Sequence, residues 1–315
     1  MVCEETNAPF EFDARSLRCT VLVEATVSER MRLDEYLGRA AAILPSKKAA
    51  YKASKRGDVR LNGEPSEPHQ FVRAGDRIDI LEPVGISLPA ASFTPKVLYC
   101  DSWFAIVNKP PGVPVMGLFE SSLELACAAA FPLSTAARTL PRAKPVHRLD
   151  VPTGGLVLVA RTESVLRDLS GQFRNREVRK TYRAIVCGRM EGRGTLDAWL
   201  DGKSCRTDFI CDAPVRSLTS DWVTAVTLHP KTGRTHQLRR HLAGVGHPIV
   251  GDREHAGDGR VLRGKGLFLA ATGLALRHPT QPFHIGVHIP QPRKFNAYLE
   301  REARRFYRFQ QKQQQ

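Results

Sequence analysis

The stretch Pro145-Val-His-Arg-Leu-Asp-Val-Pro-Thr-Gly-Gly-Leu-Val-Leu-Val-Ala160 changes character halfway along. From Leu156 to Ala160 it is an unbroken apolar run, the pattern of a strand buried on both faces. Ahead of that run, Pro152, Gly154 and Gly155 punctuate a loop that carries His147, Arg148, Leu149 and Asp150. Asp150 is therefore expected just before a core strand, where a rigid sheet presents a side chain into a cleft. The structural alternative is a carboxylate that bonds nearby backbone amides in a turn. An isolated loop aspartate does not decide between the two.

Further segments bear on that choice. Val165, Leu169 and Phe173 fall on one face of a predicted helix. A strand over 180–186 follows, with Tyr182, Ala184 and Val186 on one side. Tyr182 is either core packing or a ring for a flat base to stack on, a contact worth ~1–3 kcal/mol. Lys231-Thr-Gly-Arg-Thr-His-Gln-Leu-Arg-Arg-His-Leu242 reads as a glycine turn entering a short helix that Gly244 ends. Arg234 is expected beside the first amides of that helix, where anions are attracted, or else as an ordinary surface arginine. Arg174, Arg176, Arg179, Lys180 and Arg183, opposed only by Glu177, suit a phosphate track. Strands over 97–99 and 104–107, broken by Lys109-Pro-Pro-Gly112, complete a pattern without regular βαβ alternation, so the class is α+β.

The chain has 315 residues, 42% of them hydrophobic, enough for one large core and an accessory module. Lys and Arg total 47 against 32 Asp and Glu, and the resulting +15 charge points to a polyanionic partner, nucleic acid before membrane. Seven cysteines form no Cys-x-x-Cys and suggest a reducing, cytoplasmic compartment. No metal is expected, since His236 and His241, five apart, fall on different faces of a helix. The first residues fit no secretory or transit signal, no apolar run approaches a membrane span, and a monomer is the default.

After an N-terminal extension (1–27), Leu33, Tyr36, Leu37, Ala40 and Leu44 recur at helical spacing up to Pro45. Ser46 is placed to cap a second helix, which Gly57 ends. That helix gathers Lys47, Lys48, Lys52, Lys55 and Arg56, a basic face suited to RNA phosphates or merely a solvated surface. A short strand, the hairpin signal Asn62-Gly63 and an alternating strand over 76–80 follow. Residues 83–95, with three prolines, read as a linker, 257–266 as a mobile loop, and 301–315 as a basic, Gln-rich tail inclined to disorder at its end.

Two resemblances follow from these motifs. Residues 28–82 resemble the small α/β RNA-binding domain named after ribosomal protein S-four, with a helix richer in lysine than that family's. Residues 96 to about 290 are similar to the RluA family of RNA pseudouridine synthases. That likeness rests on His147-Arg-Leu-Asp150 with Thr153-Gly-Gly, Lys180-x-Tyr182, Gly233-Arg-Thr-His-Gln-Leu-Arg-x-His241 and Gly246-His-Pro-Ile-Val-Gly-Asp252 in that order. It implies a pseudouridine synthase fold, a long bent mixed β-sheet with a central catalytic cleft. It also implies cofactor-free isomerisation of specific uridines, in ribosomal or transfer RNA. Asp150 takes the place of the nucleophile, Tyr182 of the active-site tyrosine and Arg234 of the arginine that keeps the aspartate ionised. Arg148 takes a role in displacing the target base, and His147, Leu149, Thr153, Lys180, His236, Gln237 and Arg239 are expected around the substrate. The chain departs from the family pattern at Gly154 (usually Ser), at His255 (usually Tyr) and at Ala270-Ala271 (usually His-Ala). A non-catalytic RNA-binding scaffold and a glycosidic hydrolase are the competing readings.

Overall fold

A computed structural model describes residues 17–24, 31–40, 44, 46–81, 90–118, 120–131, 136, 139–257 and 264–314. The chain divides into two compact units, Met1–Ser87 and Leu88–Gln315.

In the first unit the helices Leu33–Ala40 and Lys47–Lys55 pack on a four-stranded sheet. Apolar spacing turns Leu33, Leu37, Ala50 and Ala53 toward Val59, Ile78 and Ile80, all buried. The Ser46 side chain accepts the Ala49 amide, and Gly57 stands at φ +75° just past the helix end. Asn62 and Gly63, both at positive φ (54° and 88°), make the tight turn between Val59–Leu61 and Glu64–Pro65. The sheet also recruits Leu17–Leu22, antiparallel to Arg77–Leu81, so part of the expected extension belongs to this unit. Its alternation is too short to stand out in a sequence. Residues 41–43 and Pro45, at the end of the expected first helix, lie outside the described residues.

In the second unit eleven described strands form one mixed sheet. Eight of them run in the order Arg193–Leu200, Lys203–Cys211, Asp221–Pro230, Arg179–Cys187, Leu269–Arg277, Gly154–Thr162, Phe104–Lys109 and Lys96–Cys100, and Val215–Ser217, His284–His288 and Thr139–Pro145 pair with Asp221–Pro230, Leu269–Arg277 and Gly154–Thr162. The pairings are antiparallel except at the centre, where Gly154–Thr162 meets Leu269–Arg277 in parallel. That pairing involves only Gly154 with Ala270 and Gly155 with Ala271. Gly155 has φ +123°, and a Cβ there would lie 2.1 Å from the Ala271 carbonyl oxygen, so only glycine permits the contact. The departures at Gly154 and Ala270-Ala271 are thus one feature, face to face at the middle of the sheet. Apolar clusters pack on both sides of Gly154–Thr162, one around Phe104, Leu156 and Leu158, the other around Ala105, Val157 and Val159. This matches the continuous run that marked the strand.

Two boundary expectations need correction. Residues 90–95, read as the end of a linker, are fastened down: the Ser92 amide donates to the Glu120 carbonyl, and Phe93 packs against the core. The tail is helical, not disordered, as far as Gln313, within the helix Arg293–Gln313. Phe295, Tyr298 and Glu302 lie on its buried face, and Glu302 accepts a hydrogen bond from Ser217 Oγ at 2.7 Å. Polar composition concealed that amphipathic spacing. Residues 258–263 of the expected mobile loop, and 82–89 of the linker, lie outside the described residues. No helix among the described residues is long and apolar enough to cross a membrane.

Candidate active site

Asp150 lies where the loop 147–153 enters the central strand, and several backbone contacts fix it there. The Thr153 amide donates to the Asp150 carbonyl (3.0 Å) and the Gly112 amide to the Val151 carbonyl (2.8 Å). Lys109, 1% exposed, donates from Nζ to the carbonyls of Pro110 (3.0 Å), Val113 (2.6 Å) and Val151 (3.1 Å). Burial pulls its ammonium down to about 8, against the opposing pull of the Asp150 carboxylate. Lys109 was visible in sequence only as part of a turn; its clamp on the Asp150 loop depends on a carbonyl 42 residues away.

A cavity of about 230 Å³ opens over Asp150. It is smaller than the roughly 300–1,000 Å³ typical of drug-sized ligands, a scale suited to one base. His147, Arg148, Leu149, Asp150, Thr153, Lys180, Tyr182, Arg234, His236, Gln237 and Arg239 all line it. The chain brings together in one place every residue that the motifs singled out around the substrate. What each does there differs from the sequence expectation in several cases.

The ion partner of Asp150 is the main correction. Among the described residues, Asp150 has an ion pair with Arg239 (Nη1 to Oδ2, 4.0 Å) and faces His236 (Nε2 to Oδ1, 3.9 Å); it has none with Arg234. The helix Gln237–Gly244 explains this, because Arg239 sits on its buried side with Leu238 and Leu242. Arg234 precedes the helix and stands on the cavity wall. Arg239 is only 2% exposed and holds Asp252 in a bidentate pair at 2.7 and 2.5 Å. Its Nη2 also reaches Glu254 Oε1 at 3.1 Å, while Nη1 has no hydrogen-bond partner among the described residues. Burial alone would raise the Asp252 carboxyl, but hydrogen bonds from Arg239 and from the Glu254 and His255 amides outweigh it and hold Asp252 below the usual carboxylate range.

Tyr182 occupies the strand Arg179–Cys187, opposite Leu228 and Ala271, with its ring against the apolar clusters. Burial, then the nearby Asp150 carboxylate, push its hydroxyl far above the ordinary tyrosine value, so it stays protonated. His147 lines the cavity with its polar edge already engaged: Nε2 accepts the Leu158 amide at 3.1 Å, and the ring stacks on Phe173 at 4.5 Å. Burial pulls it down to about 4, so the ring is neutral and shapes the loop. Gln237 is similarly occupied. Its Oε1 accepts from Thr232 Oγ1 (2.7 Å) and the Arg234 amide (3.0 Å), and its Nε2 donates to the Arg206 carbonyl (3.2 Å) and Thr207 Oγ1 (3.1 Å). Gln237 thus ties down the 232–237 turn. Arg148 is exposed at the mouth, and Leu149 and Thr153 are buried in the wall. Lys180 is drawn below the ordinary lysine value by burial and by Arg176. His236 adopts φ 52°, and its Nδ1 faces His255 and Glu254 on the segment after Asp252. Glu254 and His255 were not among the expected site residues, because folding alone brings them to His236.

In the first unit, Lys47, Lys48, Lys52, Lys55 and Arg56 are all exposed. Lys47 approaches Glu35 at 3.9 Å and Arg56 pairs with Asp58 at 2.6 Å. Lys48, Lys52 and Lys55 have no ion pair with a described residue.

A mixed sheet that presents an aspartate, a buried arginine and a tyrosine around a base-sized cavity is the arrangement of an enzyme that holds a flat ring beside a carboxylate. The family described as RNA pseudouridylate synthase matches residues 104–244. The chain is 36% identical over 200 residues to the dual-specificity RNA pseudouridine synthase RluA of Yersinia pestis, an alignment covering 58% of this chain and 92% of that one. It is 30% identical over 302 residues to the ribosomal large subunit pseudouridine synthase C of Vibrio parahaemolyticus, covering 85% and 91%. Among solved structures, human RNA pseudouridylate synthase domain containing 1 superposes with a TM-score of 0.54 at 28% identity, covering 65% of this chain and 86% of that one. The chain belongs to the RluA family of RNA pseudouridine synthases.

Proposed function

We propose that Asp150 is the nucleophile with which this RNA pseudouridine synthase converts uridine to pseudouridine. The reaction breaks the bond from the sugar to N1 of uracil and forms one to C5. C5 gives up its proton and N1 gains one, so atoms and electrons balance within the nucleotide. Detached uracil must turn over while enclosed. That requires a carboxylate to hold one fragment, a cation beside it and a flat surface for the free base. Asp150, Arg239 and Tyr182 supply these three. The carrying observation is Asp150 at the cavity wall, 4.0 Å from Nη1 of a guanidinium that is 2% exposed, an atom with no hydrogen bond to any described residue.

Arg148, exposed beside Asp150, is positioned to fill the space of an extruded base. Unstacking a base costs a few kcal/mol, which contacts of this kind must offset. Arg234, which has no ion pair with a carboxylate among the described residues, stands on the cavity wall where it can meet a phosphate. The basic helix of the first unit, with three lysines that have no ion pair among the described residues, supports the reading of that unit as an S-four-like RNA-binding module. Ribosomal or transfer RNA is the proposed substrate, since a relative acting on the ribosomal large subunit aligns over 85% of this chain. The cytoplasm is the proposed compartment.

The test is pseudouridine mapping of RNA from cells carrying the normal protein or Asp150→Asn, with RNA binding of both purified proteins measured alongside. Specific sites should vanish in the variant while binding persists. Retained modification by purified Asp150→Asn refutes the assignment, and release of free uracil by the normal protein supports a hydrolase instead.

A further inference from the structure

We propose that His236, Glu254 and His255 form a site for one divalent transition-metal ion of the zinc class at the edge of the active-site cavity. His236 Nδ1 lies 3.2 Å from His255 Nε2 and 3.2 Å from Glu254 Oε2, and the last two atoms are 4.0 Å apart. Tetrahedral coordination with bonds of about 2.0–2.1 Å separates neighbouring donor atoms by about 3.3–3.4 Å. Two edges of the triangle are already near that value. The third closes by less than about 1 Å through movement of the Glu254 side chain, which is 56% exposed.

The surroundings hold this triangle in place. Glu254 Oε1 is engaged by Arg239 Nη2 at 3.1 Å, leaving Oε2 turned to the histidines. The amides of Glu254 and His255 both donate to Asp252 Oδ1, at 3.0 and 3.2 Å, and Asp252 is itself locked by Arg239. Such outer contacts fix ligand orientation in metal sites. Without an ion, a proton on His236 Nδ1 leaves the His255 Nε2 and Glu254 Oε2 lone pairs opposed across the 4.0 Å edge, and a proton on His255 Nε2 leaves the Nδ1 and Oε2 lone pairs opposed at 3.2 Å. One cation satisfies all three atoms. Two imidazoles and one carboxylate suit zinc, cobalt or nickel rather than calcium or magnesium, and the fourth position is left for water or a phosphate oxygen.

A metal on His236 Nδ1 takes that nitrogen's lone pair, so the ring proton resides on Nε2, which faces Asp150 Oδ1 at 3.9 Å. The loaded site therefore holds a fixed donor against the carboxylate and slows turnover. This consequence rests on the proposed role of Asp150; metal binding does not.

Untagged full-length protein, stripped with chelator, is titrated with Co²⁺ and then Zn²⁺. One equivalent of Co²⁺ should give tetrahedral visible bands without thiolate charge transfer, and Zn²⁺ should displace it. His255→Phe and Glu254→Gln, each with an unchanged melting temperature, should bind at least about 10–100-fold more weakly. Zn²⁺ should slow the normal enzyme reversibly and leave His255→Phe unaffected. Unchanged affinity in both variants, a cysteine-type spectrum, or no binding below millimolar metal overturns the site. Binding with the expected ligands but no effect on turnover overturns the coupling to Asp150.

Discussion

Replacing Arg239 with glutamine removes the one buried cation shared by Asp252, Glu254 and Asp150. Asp252 has a fully buried side chain and Arg239 is 2% exposed, so the variant leaves a carboxylate without a counter-charge where water cannot replace it. Breaking a buried pair from one side costs about 3–5 kcal/mol. In a unit of this size that lowers the melting temperature by about 6–20 °C. Adding Asp252→Asn should restore all but about 1–2 kcal/mol, because asparagine still accepts the Glu254 and His255 amides and carries no charge. The pH dependence has a definite sign. In the normal protein Asp252 is held below its unfolded value of 3.8, so its contribution is present above that pH and is lost as pH falls through the lower folded value. In Arg239→Gln burial acts without the two guanidinium hydrogen bonds and without the nearby charge, so the carboxyl moves up and the neutral form is favoured. The stability gap between the two proteins should widen from pH 4 to pH 7. Urea unfolding followed by tryptophan fluorescence across that range measures it. A loss under about 1 kcal/mol, a pH-independent gap or strict additivity with Asp252→Asn would refute the reasoning. Turnover should collapse in Arg239→Gln. Arg234→Gln should instead mainly weaken RNA binding, which separates the observed ion partner from the one expected by motif.

Other consequences are equally direct. Tyr182→Phe keeps the ring and should retain most activity, whereas Tyr182→Ala should lose about 1–3 kcal/mol of stacking, read as a fall in kcat/KM; equal losses would point to the hydroxyl instead. His147, held down at about 4, has its folded value below the unfolded 6.5, so its contribution is complete above pH 6.5 and falls away toward pH 4. His147→Asn should flatten that part of the stability profile by a few kcal/mol, and an unchanged slope would show that the ring is not buried neutral. Gly155→Ala should cost about 3 kcal/mol or more through collision with the Ala271 carbonyl, against about 1 kcal/mol for Gly112→Ala, where a Cβ meets open space; similar melting temperatures for the two would contradict the close strand approach.

Much of the site was legible because its signals are local. The apolar run 156–160 marked the central strand, Ser46 and Gly57 bounded the basic helix, and Asn62-Gly63 set the hairpin, each through the conformational needs of a few adjacent residues. Every side chain that the ordered motifs named around the substrate was later found at the cavity. Their spacing did not reveal which cation faces Asp150, since Arg234 and Arg239 are five residues apart on the same motif and equally basic. Burial of one helix face selected Arg239. Nor did the sequence show that Lys109 clamps the carbonyl of Val151, that Gly154-Gly155 and Ala270-Ala271 meet at the sheet centre, or that Glu254 and His255 converge on His236. The sequence alone determined the element types around the site, the chemistry available and the family. The tertiary structure decided the pairings, because charge coupling and side-chain convergence depend on separations of a few ångströms between residues that only folding makes neighbours.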